Sequence, residues 1–461
     1  MRHLRSPGFS NKSVRAAGVI GLAAMVGIFT FCARSAAQQA RGESVPVDGA
    51  KRAAIVDSVT AALTKGYVFP DVAEEMEKHV RAKLKRGDYD EIESTEEFAG
   101  ALTRDLREIS RDRHLAVQYV DPETMAQMTQ QVEPVVNRER EFERLAKQNF
   151  MFKKAEILAG NVGYLRLDGF ANASYSGPTA VAALNFLAHC DAIIIDLRQN
   201  GGGWPSLIQL ITSYFFEEPT HLNSFYTPRT DSLEQFWTHA YVPGPRMIDV
   251  DLYVLTSSRT FSGAEEFTYN LKSLKRATII GETTGGGAHP VDYRLFPTLN
   301  ITLNLPFARA INPVTGTNWE GTGVTPHIEV PQEMALANAH LAALRKLRDR
   351  AQEEEEIAGL EWAITGLDAQ MNEPDVDLDA LASYAGTYGA RKLTFKDGAL
   401  YYQRDEGPLR RAIPMSNTLF RFEDIDFFRL EVVTDNSGKP AKLVGHYSNG
   451  FRDETPRTDG K

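Results

Sequence analysis

The spacing of apolar residues divides the chain. Between about residues 48 and 115 they recur every three or four positions: Ile55, Val59, Ala62 and Leu63; Val72, Met76, Val80 and Leu84; Phe98, Leu102, Leu106 and Ile109. Each set lines one face of a helix. Gly66 and Gly87 stand where the first two helices would stop, and Ser94 with Glu97 forms a capping-box pattern ahead of the third. Three short helices with one apolar stripe each can bury those stripes only against one another. The pattern therefore predicts an N-terminal helical bundle over 48–120.

From about residue 160 the period changes. Apolar runs at Val162–Leu167, Ala192–Leu197, Leu252–Thr256 and Ala277–Ile280 alternate with helical stretches at Pro178–His189, Pro205–Phe216 and Gly263–Leu274. Such alternation predicts an α/β core over 160–332, joined to the bundle by a linker at 121–159. Asp292–Leu305 alternates apolar and polar residues, as an edge or antiparallel strand does. The Ala-, Leu- and Glu-rich stretch 333–373 is a helical connector, and its Glu353–Glu356 run a solvated helix face. Beyond Pro374 the short runs Leu393–Phe395 and Leu400–Gln403, with a turn at Asp397–Gly398, predict a small C-terminal β-domain over 374–461.

Composition narrows the function classes. A chain that is 43% hydrophobic and 24% charged is globular rather than disordered or multiply membrane-spanning. A net charge of −10, with no basic stripe interleaved with aromatics, argues against a nucleic-acid partner. Residues 1–37 run from a basic segment (Arg2, Arg5, Lys12, Arg15) through an apolar one (about Ala16 to Phe31) to small residues, with Ser35 and Ala37 placed for signal cleavage. A signal peptide and an exported, periplasmic or extracellular protein are expected, with membrane proximity if the segment is kept as an anchor. Its removal would shift the net charge to about −15 and leave Cys190 without a disulfide partner. No dedicated metal or cofactor site is visible, and the oligomeric state is not encoded in any pattern.

Four segments carry chemistry. Asp196-Leu197-Arg198-Gln199-Asn200-Gly201-Gly202-Gly203 follows a strand and opens a helix at Pro205. Its amides could hold an anion or oxyanion, or form only a tight turn. Thr260-Phe261-Ser262-Gly263-Ala264-Glu265 places Ser262 at a helix N-terminus, where it is either a nucleophile with the Gly263 amide beside its oxyanion or an N-cap. Ser257 and Ser258 compete for the nucleophile role. His114, in Asp112-Arg113-His114, and His289, after Gly285-Gly286-Gly287, are the histidines in suggestive settings for a base. Glu320, in a Gly- and Pro-rich loop, could orient a histidine.

In this order the segments resemble the tail-specific and tricorn-type serine peptidases, over roughly residues 50–330. The resemblance implies a crotonase-like ββα-sandwich core. It also implies Ser262 as nucleophile, His114 as base, Glu320 as triad carboxylate, and oxyanion donors from Gly263 and from Gly201 or Gly202. The carboxy-terminal-processing branch places a Lys in the loop after the nucleophile helix. Here that loop, Gly281–Pro290, has none, and Gly287 holds the position. The Ser–His–Glu branch that includes the interphotoreceptor retinoid-binding proteins fits better. Arg113 stands where the tricorn branch has a serine, and the gap from His114 to Val162 is too short for a PDZ domain. The implied function is acyl-enzyme hydrolysis of peptides or unstructured protein segments. A non-catalytic ligand- or peptide-binding protein, or a small-molecule esterase or amidase, are the alternatives. An ordinary catalytic imidazole would give a base titrating at roughly 6–7.5.

Overall fold

The computed structural model describes residues 45–129, 134–372 and 374–459, so the expected signal peptide, 1–37, lies outside the described residues. Three helices come first: α1 (Gly49–Gly66), α2 (Pro70–Arg86) and α3 (Thr95–Ser110). Asp48 caps α1 and Ser94 caps α3 through side chains that accept from Lys51 and Glu97 N–H, and Gly87 closes α2 in the left-handed region. Their stripes meet in one apolar cluster, as their period requires. The cluster is completed from far along the chain. Strand β1 (Ala116–Tyr119) pairs antiparallel with a hairpin strand more than 180 residues later, whose Ile301, Leu303 and Leu305 are fully buried among the helices.

The stretch expected to be a linker is structured. It carries α4 (Pro122–Thr129), α5 (Pro134–Ala146) and β2 (Phe152–Leu158). The last of these adds an antiparallel edge to the core sheet, so the core begins before residue 160. The core continues with β3 (Val162–Leu167), α6 (Ala173–Phe186), β4 (Ala192–Asp196), α7 (Pro205–Ser213), β5 (His221–Thr227), β6 (Ser232–Trp237), β7 (Asp251–Thr256), α8 (Gly263–Ser273) and β8 (Ala277–Gly281). Then come the hairpin β9 (Val291–Phe296) and β10 (Ile301–Pro306), followed by β11 (Arg309–Ile311) and β12 (Ile328–Glu329). Six strands form the main sheet in the order β12-β8-β7-β4-β3-β2, parallel except for β2.

Alternation along these strands fills two layers. Leu165, Leu167, Ile193, Ile195, Val254 and Ile279 pack on α6, α7 and α8. Tyr164, Ile194, Tyr253, Leu255 and Ile280 face α9 (Ala335–Arg350) and α10 (Glu354–Met371). A sheet covered on both faces needs near-continuous apolar strands, which is how these runs are written. Residues Arg166, Asp196 and Leu255 stand level across β3, β4 and β7, so the carboxyl ends of the central strands open onto one edge. In parallel α/β sheets that edge is where ligands bind.

After α11 (Leu378–Ser383), eight strands form one antiparallel meander in sequential order: β13 (Gly386–Tyr388), β14 (Arg391–Lys396), β15 (Ala399–Arg404), β16 (Arg410–Pro414), β17 (Leu419–Phe422), β18 (Ile425–Thr434), β19 (Pro440–Tyr447) and β20 (Arg452–Pro456). Thr458 N–H donates to Thr387 C=O at 2.8 Å, joining the last strand's exit to the first strand. Arg429 clamps the meander to α10: its guanidinium lies 3.7 Å from the Trp362 ring centroid and donates to Thr365 Oγ1 at 2.6 Å.

The N-terminal helices thus owe part of their core to β10. Leu303→Ala would leave a cavity at a fully buried position. We expect it to cost about 2–5 kcal/mol, read as a lower urea midpoint, whereas an unchanged midpoint would show that the helices do not depend on the hairpin.

Candidate active site

The turns that follow β4 and β7 are built against each other. Phe261 N–H donates to Asn200 C=O at 3.1 Å, and Thr260 Oγ1 donates to Leu197 C=O at 2.8 Å. Ser257 is fully buried and its hydroxyl donates to Arg198 C=O at 2.6 Å, which makes it a structural residue. Glycine is required where the turns touch. A Cβ on Gly202 (φ 105°) would lie 2.7 Å from Gly263 N and 2.8 Å from Ser262 Cβ, and one on Gly203 (φ 145°) only 2.1 Å from Phe170 O. Gly201 is under no such restriction.

Ser262 begins α8 at φ 55° and ψ −122°, a left-handed conformation that costs a non-glycine residue of order 1–3 kcal/mol. Glu265, fully buried one turn on, holds it there. Its Oε2 accepts Ser262 N–H at 2.9 Å and Gly287 N–H at 2.8 Å; its Oε1 accepts Gly286 N–H at 2.6 Å and Thr284 Oγ1–H at 2.5 Å. Val324 N–H donates to Thr284 Oγ1 at 2.7 Å, which turns the hydroxyl proton toward the carboxylate. Burial pushes Glu265 up to about 7 against these four donors. Every lone-pair position is filled by a donor, so the geometry is built for the ionised form. Ser262 and Glu265 stand in a capping-box relation, in which the short bond is Ser262 N–H to Glu265 Oε2 at 2.9 Å.

His114 approaches this turn from the N-terminal helices. Its ring packs on Phe261 with centroids 4.7 Å apart, and its Cε1 would lie 2.7 Å from a Cβ on Gly287. A lysine at position 287 would therefore collide with this imidazole. Desolvation lowers His114 to about 4, against the charge of Asp112, so the ring is neutral at pH 7. The expectation from sequence is an ordinary imidazole titrating at roughly 6–7.5. Asp112 Oδ1 accepts His114 N–H at 2.9 Å. Arg113, in place of the tricorn branch's serine, donates from Nη1 to Gly285 C=O at 2.6 Å and ties the base segment to the glycine loop.

Glu320, the expected triad carboxylate, makes its hydrogen bonds to the His289 segment. Its Oε2 accepts Ala288 N–H at 2.6 Å and His289 N–H at 3.2 Å, and lies 3.5 Å from His289 Nδ1. His289 Nδ1–H in turn donates to Asp112 Oδ2 at 2.8 Å. Asp112, His289 and Glu320 thus form a polar cluster beside the His114 segment, their facing nitrogen and oxygen atoms within 4.8 Å of one another. Burial would raise Asp112, but the hydrogen bond and charge of His289 hold it below the usual carboxylate range. Burial and the charge of Asp112 raise Glu320. His114 Nδ1 and Glu320 Oε1 are both buried and without a hydrogen-bond partner among the described residues.

The fold thus brings Ser262, Gly263, Gly202 and His114 to one edge, with Glu320 joined to His289. Gly202 N–H is bound to Asn200 Oδ1 at 2.8 Å, so it does not face outward. Gly203 N lies 2.9 Å from where a Gly263 Cβ would stand, which puts its amide beside the nucleophile turn. The sequence reading places the second oxyanion donor at Gly201 or Gly202 and gives Glu265 no role. The Ser-x-x-Glu spacing was the available signal for Glu265.

A strained serine at a helix start, glycine amides beside it and a neutral imidazole packed on the preceding Phe261 are the parts that a serine hydrolase needs. Two family models agree. Residues 161–330 match "Peptidase family S41", and residues 49–157 match "N-terminal domain of Peptidase_S41 in eukaryotic IRBP". Together they take in more than half of the chain, which belongs to peptidase family S41 and is a serine-type peptidase. Among solved structures, it is similar to a putative peptidase from Parabacteroides merdae (16% identity, 67% of this chain and 100% of that one, TM-score 0.46). It is also similar to the photosystem II D1 C-terminal processing protease (14%, 62% and 95%, TM-score 0.41) and to the tricorn protease (12%, 69% and 37%, TM-score 0.40).

Glu265→Gln replaces an acceptor oxygen by an amide that donates. It cannot accept from three N–H groups and a hydroxyl at once, so the nucleophile turn should loosen. We expect kcat to fall at least about tenfold, with a stability loss of about 1–3 kcal/mol, measured by initial rates and thermal melting. Wild-type values of both would refute this role.

Proposed function

We propose that the chain hydrolyses peptides or unstructured protein segments through a Ser262 acyl-enzyme. The observation that supports the reading is the strained, positive-φ backbone of Ser262 at the very start of α8, immediately before the Gly263 amide. Ser262 Oγ attacks the scissile carbonyl and His114 takes its proton, later returning it to the leaving amine. The amides of Gly263 and Gly203 serve the oxyanion. Glu320 steadies the base segment, through the His289–Asp112 cluster or by direct contact of its unpartnered Oε1 with His114 Nδ1. The basic, apolar and small-residue order of residues 1–37 supports export, and among the described residues no helix is long and apolar enough to cross a membrane. N-terminal sequencing from the native host should find a start near Gln38; Met1 in a cytoplasmic fraction would contradict it.

Ser262→Ala and His114→Ala should each lower kcat on an unstructured peptide by orders of magnitude. The double variant should be little worse, because the two residues act as a unit. Lys272, whose ammonium caps Thr325 C=O, and Lys275 should be replaceable by Ala with most activity kept. A lysine variant that abolishes turnover while His114→Ala keeps it would overturn the assignment, and an ester-only profile would point to a small-molecule esterase.

The pH profile follows from the buried imidazole. A base must be neutral to act, and His114 is neutral above about 4. The His114 limb of kcat/KM should therefore lie below the usual histidine range near 6.5, while protonation of Glu265, raised by burial to about 7, adds a limb of its own. A limb at 6.5–7.5 that persists in Glu265→Gln would show that the ring is solvated in the working enzyme.

A further inference from the structure

One cavity adjoins the nucleophile. It has a volume of about 300 Å³ and runs from Gly201 and Gly202 to the last turn of α5. That is the lower end of the range for ligand pockets, sized for one side chain rather than a folded segment. Its walls are apolar: Leu145 from α5, Met151, Phe170, Ala171 and Trp204. The Phe170 and Trp204 backbones are hydrogen-bonded to the glycine turn and to each other, Phe170 N–H to Gly202 C=O at 2.8 Å and Trp204 N–H to Phe170 C=O at 2.7 Å. The wall and the nucleophile turn are thus one rigid unit.

Met151 enters the cavity from an unusual turn. Asn149, Phe150 and Met151 have φ of 49°, 50° and 71°, three consecutive non-glycine residues in the left-handed region. Strain of this kind persists only where the surroundings over-determine it, and it collects at functional sites. Here Phe150 packs on Phe142 at 5.4 Å, and Met151 C=O accepts Asp168 N–H at 3.0 Å. The turn aims Met151 at Gly169, on the cavity floor; a Cβ at 169 would meet its Cγ at 3.2 Å. The charged rim is unbalanced. Asp168 is held by Arg166 at 2.9 and 3.0 Å, whereas Arg144 and Lys153 have no ion pair among the described residues and face one carboxylate, Glu141.

We propose that this cavity is the specificity pocket. It receives an apolar side chain of the peptide next to the scissile bond, with Leu145 and Met151 setting its depth and the cationic rim turning away basic side chains. The proposal rests on the Ser262 peptidase reading and is tested separately from it. The full-length enzyme is given an unstructured peptide series that varies one flanking position at a time, and the cleavage products are read by mass spectrometry. The wild type should prefer Leu, Met or Phe over Gly, Lys or Arg at one flanking position by roughly 10- to 100-fold in kcat/KM. Leu145→Asp should reverse the apolar-to-basic ratio at that same position. Met151→Gly accepts the positive φ without a Cβ penalty, so it should fold, and it should shift preference toward aromatic rings.

Equal cleavage at every position by the wild type would overturn the proposal, as would the wild-type ranking in both variants, provided thermal melting shows them folded. Those results would leave the Ser262 reading standing. Hydrolysis that survives Ser262→Ala would instead sink that reading, whatever the profile.

Discussion

A single buried carboxylate fixes the geometry on which the site depends. Glu265 gathers the N–H of Ser262, the N–H groups of Gly286 and Gly287 and the Thr284 hydroxyl around its two oxygens. A buried charge is tolerable only when it is fully hydrogen-bonded, so the four donors and the carboxylate require one another. The arrangement locks the serine into a backbone conformation it would not choose. It also fixes the glycine loop against which His114 lies. The left-handed serine and the glycine loop are therefore two halves of one device, and loosening either frees the other.

Around that device the chain distributes the remaining groups over distant segments. The base comes with the N-terminal helices, whose core is closed by β10 from beyond the glycine loop. The loop itself runs between Glu265 on one side and the Trp319–Gly323 turn on the other, where Trp319 Nε1–H donates to Gly287 C=O at 2.8 Å and Gly321 N–H to Gly286 C=O at 3.1 Å. Asp112, His289 and Glu320 join these three segments through one hydrogen-bonded cluster. Removing one member of such a cluster leaves buried polar groups unsatisfied, which costs more than forming the bonds gains. Its contribution is better understood as registration: it fixes where the histidine stands relative to the serine.

Much of this was legible from residue order. The core strands and helices were readable because a sheet covered on both faces demands continuous apolar runs, and Ile193–Ile195 or Val254–Leu255 admit no other role. Ser262, Gly263 and His114 were legible as residue types in context. The hairpin Val291–Pro306 was readable as antiparallel, but its burial against the N-terminal helices was not, because nothing local specifies a pairing with Ala116–Tyr119. The partner of Glu320 was hidden for the same reason: His289 is near in sequence, but Asp112, which completes the pair, is not. The strained turn Asn149–Met151 escaped notice because no glycine marks it. Positive φ is conspicuous in a sequence only when glycine adopts it.

The central claim is that the strained serine, and no neighbouring hydroxyl, forms the covalent intermediate. Ser258 lies exposed in the same loop and is the natural competitor. The direct measurement is to titrate the enzyme with a fluorophosphonate, follow residual peptide hydrolysis, and locate the adduct by peptide mass spectrometry. The account predicts one equivalent of adduct, on Ser262, formed in proportion to the activity lost. Complete inactivation with the label on Ser258, or full hydrolysis with Ser262 quantitatively labelled, would contradict it.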